Sequence, residues 1–281
     1  MNITDYFSIG RPLDFSYKTN KAISGIILIS LIIGIIVQYL SDNSVTESFF
    51  RGFLFALTVF FTWAFAREID PDNDYSAFIG VIMVFSLLYL WQNINFVMIF
   101  WFILGARILN RTTGLPARIF DVLILIVLSL ILGYFVRPEF AMLSSVLLLI
   151  DFNFDKNQKF EIIFVIIGIL GFIVSLSLFD SKWFSNPISL EYLWLSIIFI
   201  SLFLITIVTT KELISKCDIT KATILTNRVK AAQLFVLFSL IIILLLYGDV
   251  GFSNSYPIWC AIGGVGVYRI GKIIKNLKKI S

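Results

Sequence analysis

The sequence predicts an all-α integral membrane protein, a polytopic bundle of about ten transmembrane helices (nine or ten) with both termini in the cytoplasm, and three observations carry that expectation. Apolar residues make up 59% of the chain and charged residues 14%, with a mean hydropathy of +0.95. That balance would leave a water-soluble fold coated in exposed hydrocarbon. Several apolar runs reach the ~20 residues that cross a ~30 Å hydrocarbon layer as a helix. The basic residues, finally, collect in alternate connections between those runs, as positive-inside orientation requires.

In chain order the predicted spans are 22–40, 49–66, 77–90, 94–106, 119–136, 140–150, 162–179, 190–209, 231–247 and 258–267. The first follows Arg11, Lys18 and Lys21 and imitates a signal peptide, but no small-residue cleavage site follows it, so it reads as a retained anchor. The third, fourth, sixth and tenth are short, which fits re-entrant, tilted or interfacially extended segments. All are continuous rather than alternating, which argues against barrel strands, and the cost of unpaired amides in hydrocarbon then demands helices. Of the 22 basic residues, this drawing leaves only Arg51, Arg137 and Lys182 outside the cytoplasm. A wrong number of spans would scramble that alternation. No linker rich in Pro, Gly or Ser divides the chain, so residues 1–281 read as a single integral membrane domain. The second and sixth spans both run into acid at the same face, a faint repeat that fits two parallel four-helix halves plus extra helices.

Composition also removes several chemistries. With no histidine in the chain, imidazole acid–base and His-ligated metal sites are excluded. Cys217 lies in a charged connection and Cys260 in the last apolar run, which is no disulfide framework. The net charge of +4 is spread over interhelical connections without a recognition motif, so membrane lipid and not nucleic acid is the expected partner. There is no P-loop or dinucleotide-binding glycine pattern.

What remains lies at the cytoplasmic ends of the spans. Arg67, Glu68, Ile69, Asp70, Pro71, Asp72, Asn73 and Asp74 follow the second span directly. Carboxylates this dense repel one another unless solvent or a cation relieves them, and Mg²⁺ binds through one or two carboxylates while taking phosphate oxygens as further ligands. The plainer reading is a solvated helix terminus broken by Pro71. An EF-hand loop fails at Tyr75, where glycine is needed, and at Val81, where the closing carboxylate belongs. Asp151 and Asp155 end the sixth span and share one side of a helix if it continues through them, with Lys156 and Lys159 beyond. Between the two acidic stretches stand Arg107, Arg111 and Arg118, whose guanidinium forks suit phosphate and whose position also suits topology alone. Asp121, opening the fifth span, calls for a basic partner.

Arg11-Pro12 before the first helix, the acidic cluster after the second and the Asp151/Asp155 pair at the sixth together resemble the UbiA superfamily of intramembrane prenyltransferases. The likeness covers the chain up to the second acidic pair. Arg67-Glu68 stands where that family has Asn-Asp, the spacing is one residue short, Tyr75-Ser76 replace basic residues, and a tenth span exceeds the usual nine. The resemblance implies a helical bundle with a lipid-accessible cavity, housing a Mg²⁺-dependent transferase that acts on an isoprenoid diphosphate at the cytoplasmic face of the cell membrane. On that pattern Asp70, Asp74, Asp151 and Asp155 hold Mg²⁺, with Glu68 and Asp72 as further ligands, and Arg67, Arg107, Arg111, Lys159 and Arg11 contact the diphosphate. Two other functions stay open from the residues alone. One is a small-solute transporter, motivated by Gly263, Gly264 and Gly266 in a short last span; the other is a noncatalytic membrane scaffold using the basic tail Lys272, Lys275, Lys278 and Lys279.

Overall fold

The computed structural model describes residues 7–8, 14–87, 93–178 and 187–278. Arg11, Pro12, Lys182 and Lys279 lie outside the described residues. Among those described, ten helices make up the regular structure: α1 (Lys18–Tyr39), α2 (Val45–Ile69), α3 (Ser76–Ser86), α4 (Phe96–Asn110), α5 (Ile119–Phe135), α6 (Glu139–Phe154), α7 (Phe160–Leu178), α8 (Leu190–Thr209), α9 (Thr226–Asn254) and α10 (Tyr256–Leu277). Extended pairing among the described residues is confined to one isolated bridge, Lys216 with Thr223. Five helices, α1, α2, α7, α8 and α9, are long and apolar enough to cross a membrane. The chain is therefore a membrane-type helical bundle. Its outer surface agrees: Leu28, Ile32 and Ile36 on α1 and Ile163, Ile166, Leu170 and Ile173 on α7 are exposed aliphatic side chains that only lipid accommodates in such number.

Each predicted run contains a helix, and the differences fall at the ends. Helix α2 continues past Ala66 through Arg67 and Glu68 to Ile69. Helix α9 runs from Thr226 to Asn254 and is broken at Gly248, whose φ of 56° and ψ of −141° lie where a side chain would be strained. Helix α10 continues beyond Val267 to Leu277. Hydropathy marks only the apolar middle of a helix, whereas polar residues such as Glu68 and Arg228 extend these helices because partners inside the bundle satisfy them.

Helix α4 sits at the centre, packed by α2, α5, α6 and α9. Its Trp101 is fully buried, meets the rings of Phe102 and Phe140 edge-on at 5.0 and 5.2 Å, and donates its indole N–H toward the hydroxyls of Ser129 and Ser144. Hydroxyls facing an indole between three helices are the polar glue that hydrocarbon-embedded helices use in place of a hydrophobic drive. The first half of α10, Tyr256 through Gly266, is buried throughout. It comes so close to its neighbours that a Cβ at Gly264 would lie 2.2 Å from the Gly80 nitrogen of α3, and one at Gly266 would lie 2.6 Å from Leu202 of α8. The glycines that suggested a broken carrier helix are thus contact points of a continuous one.

Hydrogen bonds tie the helix ends into two layers. At one end the C-termini of α2, α4, α6 and α8 meet the N-termini of α3, α5, α7 and α9, and most charge lies there. At the other end Asn95 N–H donates to the Asn254 carbonyl (3.1 Å), and Ser189 N–H donates to Asp249 (2.8 Å).

Candidate functional site

The site residues singled out in the sequence come from the ends of α2, α4 and α6. At the end of α2, Glu68 is buried and points inward. Its Oε1 accepts from Arg107 Nε at 2.9 Å, its Oε2 from the Thr112 hydroxyl at 2.9 Å, and its backbone carbonyl from Asn110 Nδ2 at 2.6 Å. Arg67, one residue earlier, forms an ion pair with Asp74 across the turn and lies over the Trp63 ring at 5.9 Å.

The Pro71 turn then folds its own acids back. Asp70 Oδ1 accepts from Asn73 Nδ2 at 2.8 Å and lies 3.6 Å from Arg269 of α10, while its Oδ2 has no hydrogen-bond partner among the described residues. Burial pushes the Asp70 carboxyl above the usual carboxylate range, and the Asn73 and Arg269 contacts offset part of that rise. Asp72 points the other way and accepts backbone N–H bonds from Ile214 (3.1 Å) and Ser215 (2.8 Å) in the connection after α8. Lys272 of α10 donates to Asn73 Oδ1 at 3.0 Å.

At the end of α6 the acids are held from a distance. Asp151 is fully buried: its Oδ2 accepts from Arg111 Nη2 at 2.8 Å, and its Oδ1 accepts from Arg228 Nη1 of α9 at 2.5 Å. The second arm of the Arg111 fork reaches Asp155 Oδ2 at 2.8 Å and holds that carboxyl below the usual range. Arg111 is the residue that stops α4, in a left-handed conformation (φ 50°, ψ 49°). Such a backbone costs a non-glycine residue about 1 kcal/mol or more, and the two carboxylates that seize its fork offset that cost. Arg228 also donates to the Leu109 carbonyl (3.2 Å) and lies over the Phe154 ring at 4.9 Å.

The last turn of α4 therefore joins the two acidic stretches: Arg107 takes Glu68, and Arg111 takes Asp151 and Asp155. Asp74 and Asp72 turn away from this junction, and Asp70 is held on the α10 side. Lys159 has an exposed side chain outside it, and Arg11 lies outside the described residues. Asp121 is buried as expected, but its partners differ from the expected basic side chain. Among the described residues its Oδ2 accepts from the Ser8 amide (3.0 Å), the Ser8 hydroxyl (2.7 Å) and the Arg118 amide (2.8 Å), because a carboxylate in the first turn of a helix can be met by backbone N–H groups.

Over the junction lies the connection between α8 and α9. Asp218 N–H donates to the Thr112 carbonyl (3.0 Å) and Ile219 N–H to Thr113 (3.1 Å), while Ser215 hydroxyl donates to the Pro71 carbonyl (2.9 Å). Leu213, Cys217, Ile224 and Val229 form its small apolar core. Beside Arg228 a cavity of about 220 Å³ is lined by Phe154, Leu225, Thr226, Asn227 and Arg228.

Arg228, Glu161 and Arg269 take part in or border this layer and were not singled out in the sequence. Each is one charge among several near a helix end, and only partners brought in by the fold distinguish it. Among the described residues no three metal-binding side chains come together as donors, and the acids of the junction spend their oxygens on guanidinium groups. As arranged, they do not fit a Mg²⁺ donor set. No family profile, curated protein or solved structure matches the chain.

Proposed function

We propose that this chain is a membrane-embedded transferase of the prenyl-diphosphate class, and that its headgroup-recognition face is the junction at the end of α4. The observation that supports this reading is the meeting of two acidic stretches, far apart in sequence, on Arg107 in the last turn of α4 and Arg111 four residues on, at its C-terminal cap. Four residues rise about 6 Å along a helix, a span that a diphosphate bridges with its two phosphate groups. Guanidinium forks are the side chains best matched to phosphate oxygens, and the headgroup would take them over from Glu68 and Asp151 by exchange.

The cavity beside Arg228 is lined by neither Arg107 nor Arg111, so the headgroup would meet those forks at the partly exposed α4 terminus while an isoprenoid tail would run along the lipid-facing surface. The proposal takes this end as cytoplasmic on the positive-inside distribution, with about ten spans in the cell membrane. Mg²⁺ enters only as a variable of the test.

Titration of a prenyl diphosphate into the purified protein in nanodiscs, with and without Mg²⁺, tests the reading. Saturable binding is expected, weakened roughly tenfold or more by Arg111→Lys, which keeps the charge and removes the fork. Phosphorus NMR of the same samples, with an acceptor lipid present, follows release of diphosphate. Absence of saturable binding under either condition would overturn the proposal and leave the ion pairs as the internal ties of a noncatalytic scaffold.

A further inference from the structure

The α6 end of the junction does not balance its charge. Three carboxylates, Asp151, Asp155 and Glu161, share it with two guanidinium groups, Arg111 and Arg228. Asp151 uses one oxygen on each arginine, and Asp155 takes the remaining arm of Arg111. One negative charge is left, and it falls on Glu161 in the first turn of α7.

Glu161 is fully buried, and neither of its carboxylate oxygens has a hydrogen-bond partner among the described residues. Among the described residues its charged neighbours are the following. From α6 it faces Asp151, a like charge; from the end of α4 and from α9 it faces Arg111 and Arg228, both already committed. Helix α5, which also packs on α7, has Asp121 and Arg118 at this end, and Asp121 is occupied by the Ser8 and Arg118 amides. On its own connection Lys156 donates to Asn153 and Lys159 has an exposed side chain. A carboxylate left ionised and unpaired in such surroundings is too costly to keep, and a side chain of this kind in a membrane protein marks a place where a positive charge is taken up.

We infer that Glu161, together with Asp151, forms a binding site for a single cation at the charged end of the bundle. The chemistry required is one positive charge held against carboxylate oxygen, and two sources supply it: a proton or a monovalent metal ion. A proton needs only an O–H···O bridge between the two carboxyl groups. A sodium ion needs more oxygens, which backbone carbonyls or water would add. The site shares Asp151 with the diphosphate reading, since a headgroup would take Arg111 from that carboxylate, but its test reads a cation response with no diphosphate present, so the failure of either proposal is distinguishable from that of the other.

The experiment compares the full chain with Glu161→Gln in nanodiscs. Thermal unfolding is followed from about pH 5 to about pH 9 at constant ionic strength, and in a second arm with sodium chloride replaced by choline chloride. In the wild-type protein Tm is expected to move with one of the two variables, and in Glu161→Gln the part of that dependence due to Glu161 is expected to be lost, because the amide is neutral and fills the same space. Dependence on pH identifies the proton, with a protonated-carboxyl band in the infrared spectrum that Glu161→Gln removes. Dependence on sodium identifies the metal ion, with one labelled sodium bound per chain. Glu161→Asp keeps the carboxylate and should retain the response. Wild type and Glu161→Gln tracking each other in both arms would overturn the inference; if the variants fail to fold, a wild-type protein with neither the infrared band nor bound sodium does the same.

Discussion

The ends of α2 and α6 present nearly the same sequence signal, acid where an apolar helix stops, and the bundle neutralises them in opposite ways. At the α2 end the Pro71 turn does part of the work locally: Asn73 serves Asp70 and Arg67 serves Asp74, while Asp72 is met by backbone N–H groups of the connection between α8 and α9. At the α6 end nothing local suffices for Asp151, which is held by arginines from α9 and from the end of α4. Local satisfaction serves part of this turn, whose remaining ties run to α10 through Arg269 and Lys272 and to the α8–α9 connection through Asp72. Remote satisfaction makes a tie between helices, so the two acidic stretches differ in what their loss does to the whole.

The largest test of that difference is Asp151→Ala. It strands the buried Arg228 guanidinium and leaves Arg111 with Asp155 alone, and breaking a buried pair from one side costs about 3–5 kcal/mol. A large fall in resistance to SDS-induced unfolding is expected; a fall no bigger than that of a surface substitution would erase the distinction drawn between the two ends. Asp72→Ala should cost less, about 1–2 kcal/mol, because two backbone donors lose an acceptor beside solvent. Its signature is local: amide exchange at Ile214 and Ser215 should quicken while α2 and α9 keep their protection.

The smallest effect is the pH response of Asp155. Its carboxyl titrates below the ordinary value of 3.8 because Arg111 stabilises the charged form. The stability it adds is therefore complete above about pH 4 and disappears as pH falls through the lowered folded value. Solvent screens this rim position, so the contribution stays within ~1 kcal/mol. In acid titrations of unfolding, Asp155→Asn should flatten that part of the curve and leave the rest unchanged.

The helices were legible because lipid selects for long apolar runs, and each of the ten runs contains one. Their ends were not. Hydropathy stops α2 at Ala66, yet Glu68 remains helical because Arg107, Thr112 and Asn110 arrive from elsewhere in the chain to meet it. Arg228 looked like one more cytoplasmic charge, and its importance exists only once α6 and α9 lie side by side. The same holds for the division among the acids: Asp70, Asp72, Asp74, Asp151 and Asp155 are alike in composition, but turn geometry sends Asp72 outward to a backbone and Asp151 inward to two arginines. Sequence spacing gives the direction of a side chain along a helix and not the identity of what waits opposite.

The connection between α8 and α9 is stitched on one edge to the Pro71 turn and on the other to Thr112 and Thr113, directly above buried Glu68. A water-borne molecule approaching that carboxylate must first unfasten those backbone bonds. Access to Glu68, unlike access to the partly exposed Arg107, would then be timed by the breathing of a short strap, which would make encounter with that carboxylate steeply temperature-dependent and only weakly sensitive to solvent viscosity.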